Sequence, residues 1–226
     1  MNTTRTLQPP ASLTASLKRI NITPVQILVH LTAWALVAWL VFDYFTGRLT
    51  INPIQAATQR LGKDALIFLT LTLANTPVRI LTGYRALLKA RRTMGLYTFF
   101  FACAHLLMFI GVDYHFNFGL LLADVASKKY VWVGLATFLI LASLALTSTD
   151  GWKVRLRKNW TKLHKLVYAA GVLVILHYAW AKKGDLFSLR GDIGQPLAFG
   201  LVILILLVLR LPPIRKRLAG LRDRLR

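Results

Sequence analysis

Two histidines, His164 and His177, share the apolar stretch NWTKLHKLVYAAGVLVILHYAW (residues 159–180), and a matching pair, Arg91 and His105, occupies ARRTMGLYTFFFACAHL (residues 90–106). Imidazole inside a membrane can ligate a haem iron, relay protons, or hydrogen-bond to a neighbouring helix. Spacing helps to separate these roles. From Arg91 to His105 a helix rises about 21 Å and turns to within about 40° of its starting direction; from His164 to His177 it rises about 20 Å. If both stretches run outward, Arg91 and His164 share a depth near the inner face, and His105 and His177 share one in the outer half. Helix bundles build haem sites from ligands on facing helices, so a His105–haem–His177 clamp is the expected arrangement.

A second haem nearer the inner face would use His164. Its opposite partner stays open between Arg91, whose guanidinium remains protonated and suits a haem propionate better than a metal, and His30, which lies at a comparable depth. Thirteen residues also turn a helix by about 220°, so His164 and His177 share one functional stripe only with a bulge, a tilt or a lateral offset. Zinc is the competing metal, but its ligands cluster within a few residues, as in HExxH, and no such spacing occurs. His115, in DYHFNF, reads as an interfacial residue among aromatics. Trp152, Trp160 and Trp180 read as interface anchors, and Tyr168 and Cys103 as packing residues. The run TSTD (147–150) reads as the polar exit of a span, with hydroxyls that could bond a propionate.

The elements that must carry these residues are apolar blocks. Of 226 residues, 56% are hydrophobic, and mean hydropathy is +0.54. A spanning helix needs about 20 largely apolar residues, which predicts six spans at 25–45, 64–82, 94–112, 131–149, 161–181 and 195–211. The 64–82 span is the least apolar, and Pro77 and Arg79 predict a stop or kink there. No acidic residue is expected deep in spans two to six. No long internal repeat is visible, and no dinucleotide or nucleotide-triphosphate motif occurs.

Charge orients the spans. Lys and Arg number 29 against 8 acidic residues, all of them aspartate, for a net charge of +21. The basic residues lie between the apolar blocks, which argues against nucleic acid. With the N-terminus inside, the division is 21 inside to 8 outside, predicting both termini cytoplasmic. The expected organisation is a cytoplasmic tail (1–24), a transmembrane domain (25–211) and a basic cytoplasmic tail (212–226) drawn to membrane lipid headgroups. The first twenty residues lack the apolar core of a cleavable signal. One cysteine, Cys103, excludes a disulfide framework within the chain.

The ordered motifs TPVR (76–79), ARRTMGLYTFFFACAHL (90–106), LALTSTD (144–150), NWTKLHKLVY (159–168) and HYAW (177–180) resemble the MsrQ family. Its members are haem-binding membrane subunits of periplasmic methionine sulfoxide reductase systems, within the wider ferric-reductase-like transmembrane domain. The resemblance runs from about residue 25 to 211. It implies a six-helix b-type cytochrome of a bacterial inner membrane with one or two haem b groups and an associated flavin, FMN. Its electrons would come from the quinone pool or a cytoplasmic flavin reductase and pass to a molybdopterin-containing periplasmic methionine sulfoxide reductase catalytic subunit. By motif, His105, His164 and His177 match the family's haem histidines, and Arg91 matches an arginine near the inner haem. Arg91 stands where the wider pattern has a histidine. A proton or ion transporter with histidine relays is the alternative, and would require a polar stripe or broken midspan helices.

Overall fold

The computed structural model describes residues 22–183 and 191–224. The expectations for residues 1–21, for Arg190 and for the last two residues lie outside that range. Every regular element described is helical. In chain order they are α1 (Pro24–Phe45), α2 (Pro53–Thr82), α3 (Ala86–Leu107), α4 (Phe118–Val125), α5 (Lys129–Leu146), α6 (Asp150–Leu156), α7 (Lys158–His164), α8 (Leu166–Ala181), α9 (Gly194–Val208) and α10 (Pro212–Arg224). A π-helical turn, Met108–Asp113, extends α3 beyond Leu107.

Among the described residues, five helical stretches are long and apolar enough to cross a membrane: Pro24–Phe45, Pro53–Thr82, Ala86–Asp113, Lys129–Leu146 and Lys158–Ala181. A sixth exists if α9 and α10, bent by 77°, count as one span. The chain is an all-α membrane protein. Its outer surface is correspondingly apolar: Leu31, Trp34, Trp39, Leu201 and Leu204 are all exposed, as lipid-facing side chains should be.

The span most buried inside the bundle is the central one. α2 packs against α1 and α3 on one side and against α8 and α9 on the other. Phe68, Ala65 and Leu61 join the first core, and Leu66, Leu69 and Leu73 the second. Its polar residues Thr72, Asn75 and Asp64 are buried against protein, so low hydropathy here records helix neighbours instead of lipid.

The expected stop at Pro77 is not observed: α2 runs through it to Thr82 and ends at Gly83, which adopts the left-handed conformation at φ 71°. Proline has no N–H, so the carbonyl four residues earlier, on Leu73, loses its helical donor. Arg210, at the end of α9, supplies the replacement. Its guanidinium donates to the Leu73 carbonyl at 2.6 Å and to that of Thr72 at 3.3 Å. The absence of deep acids is also corrected, since Asp64 lies 5% exposed within the bundle. Its Oδ2 has no hydrogen-bond partner among the described residues.

Candidate functional site

The cofactor-binding candidates divide into two levels. At the outer level α3 carries His105 and α8 carries His177, with ring centroids 6.1 Å apart and planes crossed at 85°. Each Nδ1–H donates to a main-chain carbonyl at 2.8 Å, His105 to Thr58 on α2 and His177 to Tyr130 on α5. A nitrogen fixed as a donor leaves the other as the acceptor, so both Nε2 atoms carry free lone pairs, the form needed for ligation. An imidazole–metal bond is about 2 Å long, and two of them end to end fit the observed centroid separation. The residues at the outer level therefore suit a six-coordinate haem iron.

At the inner level His164 lies within electrostatic reach of Arg91. Arg91 in turn lies within reach of Arg210, Arg79 and Tyr168. This concentration of guanidinium groups at one end of the bundle suits carboxylates such as haem propionates. His164 is prepared differently from the outer pair. Its ring stacks on Trp160 with centroids 4.0 Å apart, and its Nε2 lies 3.2 Å from the Thr147 hydroxyl. That hydroxyl donates to the Ser143 carbonyl at 2.7 Å, so the imidazole is the donor to Thr147. Ligation through Nε2 would require this contact to open.

The ideal-helix angle between His164 and His177 does not apply, because the helix joining them is interrupted. The span breaks at Lys165, between α7 and α8, where Lys165 N–H bonds the Lys162 carbonyl and Tyr168 N–H bonds the Lys165 carbonyl. These tighter three-residue closures wind faster than an α-helix and reset its face. The π-helical turn beginning at Met108 similarly widens α3 just beyond His105.

His30 is placed elsewhere. It is exposed on α1 and its Nδ1 is 2.7 Å from the Tyr97 hydroxyl, on the side of α3 that packs on α1. His115 is exposed just beyond the π-helical turn, with φ 48°. Trp160 is more than an anchor: its indole N–H donates to the Thr147 carbonyl at 2.8 Å, which fixes the surface on which His164 stacks. Tyr168 bonds the Arg210 guanidinium at 3.2 Å. Among the described residues no group of three or more His, Cys, Asp or Glu side chains could hold a metal ion.

Sequence reasoning missed three contributors: Arg210, Gly62 and Gly134. Arg210 beside an apolar span and Pro77 in another span are both visible in the sequence, but nothing there joins them. A Cβ on Gly62 would lie 3.0 Å from His105, and one on Gly134 would lie 2.7 Å from His177.

Residues 61–175 match the family described as ferric reductase like transmembrane component. The chain is 42% identical over 184 residues to the protein-methionine-sulfoxide reductase heme-binding subunit MsrQ of Rhodospirillum rubrum, covering 80% of this chain and 85% of that one. It is 41% identical to the protein of the same name from Herminiimonas arsenicoxydans, over 73% of this chain and 74% of the relative. Against that of Xanthomonas oryzae pv. oryzae it is 39% identical, over 70% and 76%.

Proposed function

The chain belongs to the MsrQ family of ferric-reductase-like, multi-pass inner-membrane proteins, and from that premise we propose that it is a b-type cytochrome carrying electrons outward across the bacterial inner membrane. The observation that carries this reading is the facing pair His105 and His177, each with Nδ1 tied back and Nε2 left to ligate. Haem b between them would supply one-electron iron chemistry.

The side chains around it hold, orient and insulate. The Thr58 and Tyr130 carbonyls fix the tautomer and rotation of the two rings, a constraint that also tunes ligand basicity. Phe101 and Thr98, both buried on α3 between the two levels, keep water out of the path. At the inner level we assign His164 to a second haem, with Arg91 giving charge compensation and no bond to iron.

The acceptor in this reading is a periplasmic molybdopterin-containing methionine sulfoxide reductase. The donor is the quinone pool or a cytoplasmic flavin reductase, with FMN as the group through which the latter would act. Both termini face the cytoplasm, following the basic bias of the inner segments. The test is the reduced-minus-oxidised visible spectrum with haem quantification on detergent-purified protein. A reducible b-type spectrum is expected in the wild type, and its loss at the outer level in His105→Ala or His177→Ala. Unchanged haem content in the double variant would overturn the assignment.

A further inference from the structure

The outer pair is built twice from the same parts. On α2 the Thr58 carbonyl accepts the His105 Nδ1–H at 2.8 Å. Gly62, one turn further on, faces the same ring: a Cβ there would lie 3.0 Å from Nδ1 and 3.1 Å from Cε1. On α5 the Tyr130 carbonyl accepts the His177 Nδ1–H at 2.8 Å. A Cβ on Gly134, again one turn further on, would lie 2.7 Å from both Nδ1 and Cε1. In each half the histidine follows its carbonyl by 47 residues. One step of 72 positions carries Thr58 to Tyr130, Gly62 to Gly134 and His105 to His177.

We propose that Gly62 and Gly134 are positioning residues for the outer cofactor, each opening a notch through which an axial imidazole reaches a main-chain carbonyl, and that the paired notches hold the two rings crossed. This inference rests on the reading of His105 and His177 as the ligands of one haem.

The carbonyl of Thr58 or Tyr130 already faces the N–H four residues on, which belongs to the glycine itself. The histidine uses the carbonyl's second lone pair, so its ring edge must lie where the glycine's side chain would stand. Without iron, a ring met by a methyl group can swing aside at small cost. With Nδ1 bound to the carbonyl and Nε2 bound to iron the ring has no freedom left, and the methyl group acts on the ligation. Alanine is the better helix former, so a loss on Gly→Ala cannot come from helix propensity.

Ring orientation has its own signature. Each axial imidazole interacts through its π system with the iron d orbital perpendicular to its plane. Parallel rings split the two such orbitals, whereas rings crossed at 85° treat them nearly alike. A low-spin ferric haem with crossed ligands then gives one strong low-field electron paramagnetic resonance feature instead of a resolved rhombic triplet.

The experiment records that resonance and the optical low-spin fraction for purified holoprotein: wild type, Gly62→Ala, Gly134→Ala and Gly95→Ala. The last is the control, since a Cβ at Gly95 meets only a Thr72 methyl group at 3.9 Å. Expected are a single low-field feature from the outer haem, the component that persists in His164→Ala, and no change in Gly95→Ala. Gly134→Ala should lose low-spin signal several-fold or become rhombic, and Gly62→Ala should move the same way by less. A rhombic signal from the outer haem, identified as the component that persists in His164→Ala, would overturn the proposal, as would wild-type spectra in both notch variants. If a notch variant cannot be recovered folded, the wild-type resonance decides, together with the nitrogen shifts of ¹⁵N-labelled histidine, which must report hydrogen-bonded Nδ1–H at both rings. A wild type that binds no haem would instead sink the functional reading, and this inference with it.

Discussion

His164 and the outer histidines differ in what their nitrogens already hold. His105 and His177 bind carbonyls through Nδ1, whereas His164 meets Thr147 through Nε2 and lies flat on Trp160. Two levels with separate ligands predict separable losses. His164→Ala should halve the haem content while leaving the outer haem's spectrum intact, measured by pyridine haemochrome and low-temperature difference spectra. Loss of both haems, or of neither, would contradict an independent inner site. The histidines themselves were legible in the sequence because ionisable groups in apolar blocks are conspicuous and helical rise sets their depth. Their second partners were not. Gly62 and Gly134 read as ordinary helix glycines until the packing of α2 on α3 and of α5 on α8 shows what stands against them.

At the scale of elements, the clearest dependence joins α2 to α9. Arg210→Met should leave the Leu73 carbonyl short of a donor and cost about 1–3 kcal/mol, read as a lower unfolding midpoint in detergent. Pro77→Ala restores an N–H to that carbonyl, so the arginine substitution should cost less in the Pro77→Ala background, with a coupling of about 1 kcal/mol. Additive losses would break the link. This explains why the stop at Pro77 was misread: proline chemistry is local and legible, but its remedy sits in another helix.

The outer segment around α4 offers a pH test. Tyr114 donates to Asp124, and Lys128 bonds the same carboxylate at 2.6 Å. Lys128 and Tyr114 hold the Asp124 carboxyl below its ordinary 3.8. The Asp124 carboxylate raises Lys128 above 10.5 and Tyr114 above 10.0. A depressed acid contributes above its unfolded value and loses that contribution as pH falls through the folded one. The raised groups contribute below their unfolded values and lose it as pH rises through the folded ones. Hydrogen exchange across Asn117–Val125, corrected for intrinsic rates, should therefore be flat from about pH 5 to 9 and quicken below and above. In Asp124→Asn the acid-side change should vanish. These exposed contacts are weak, so the effect is local and not a shift of global stability.

For the whole molecule, the surface and the charge distribution carry the membrane reading. Spans one to five were legible because each contains a long, largely apolar stretch. The sixth is less clear in the structure, since α9 has only 15 residues before the 77° bend into α10, about 22 Å of helix against a core of about 30 Å. A C-terminal fusion tests the topology: a fluorescent protein that matures only in the cytoplasm should light up, and alkaline phosphatase at the same position should stay inactive. The opposite pair of results would invert every level assigned above. The repeated half-site was invisible in the sequence because few identities recur at the 72-residue step: Leu69/Leu141 and Arg85/Arg157 join the glycine and histidine pairs among otherwise unlike neighbours.

In the proposed cytochrome, His105 and His177 clamp one haem b. The most direct measurement is haem content with the reduced-minus-oxidised spectrum of purified wild type and of the His105→Ala, His177→Ala double variant, made under identical conditions. Wild type should show a reducible b-type spectrum, and the double variant should lose the low-spin outer component with protein yield and helicity retained. Equal haem content and equal spectra in the two proteins would contradict it.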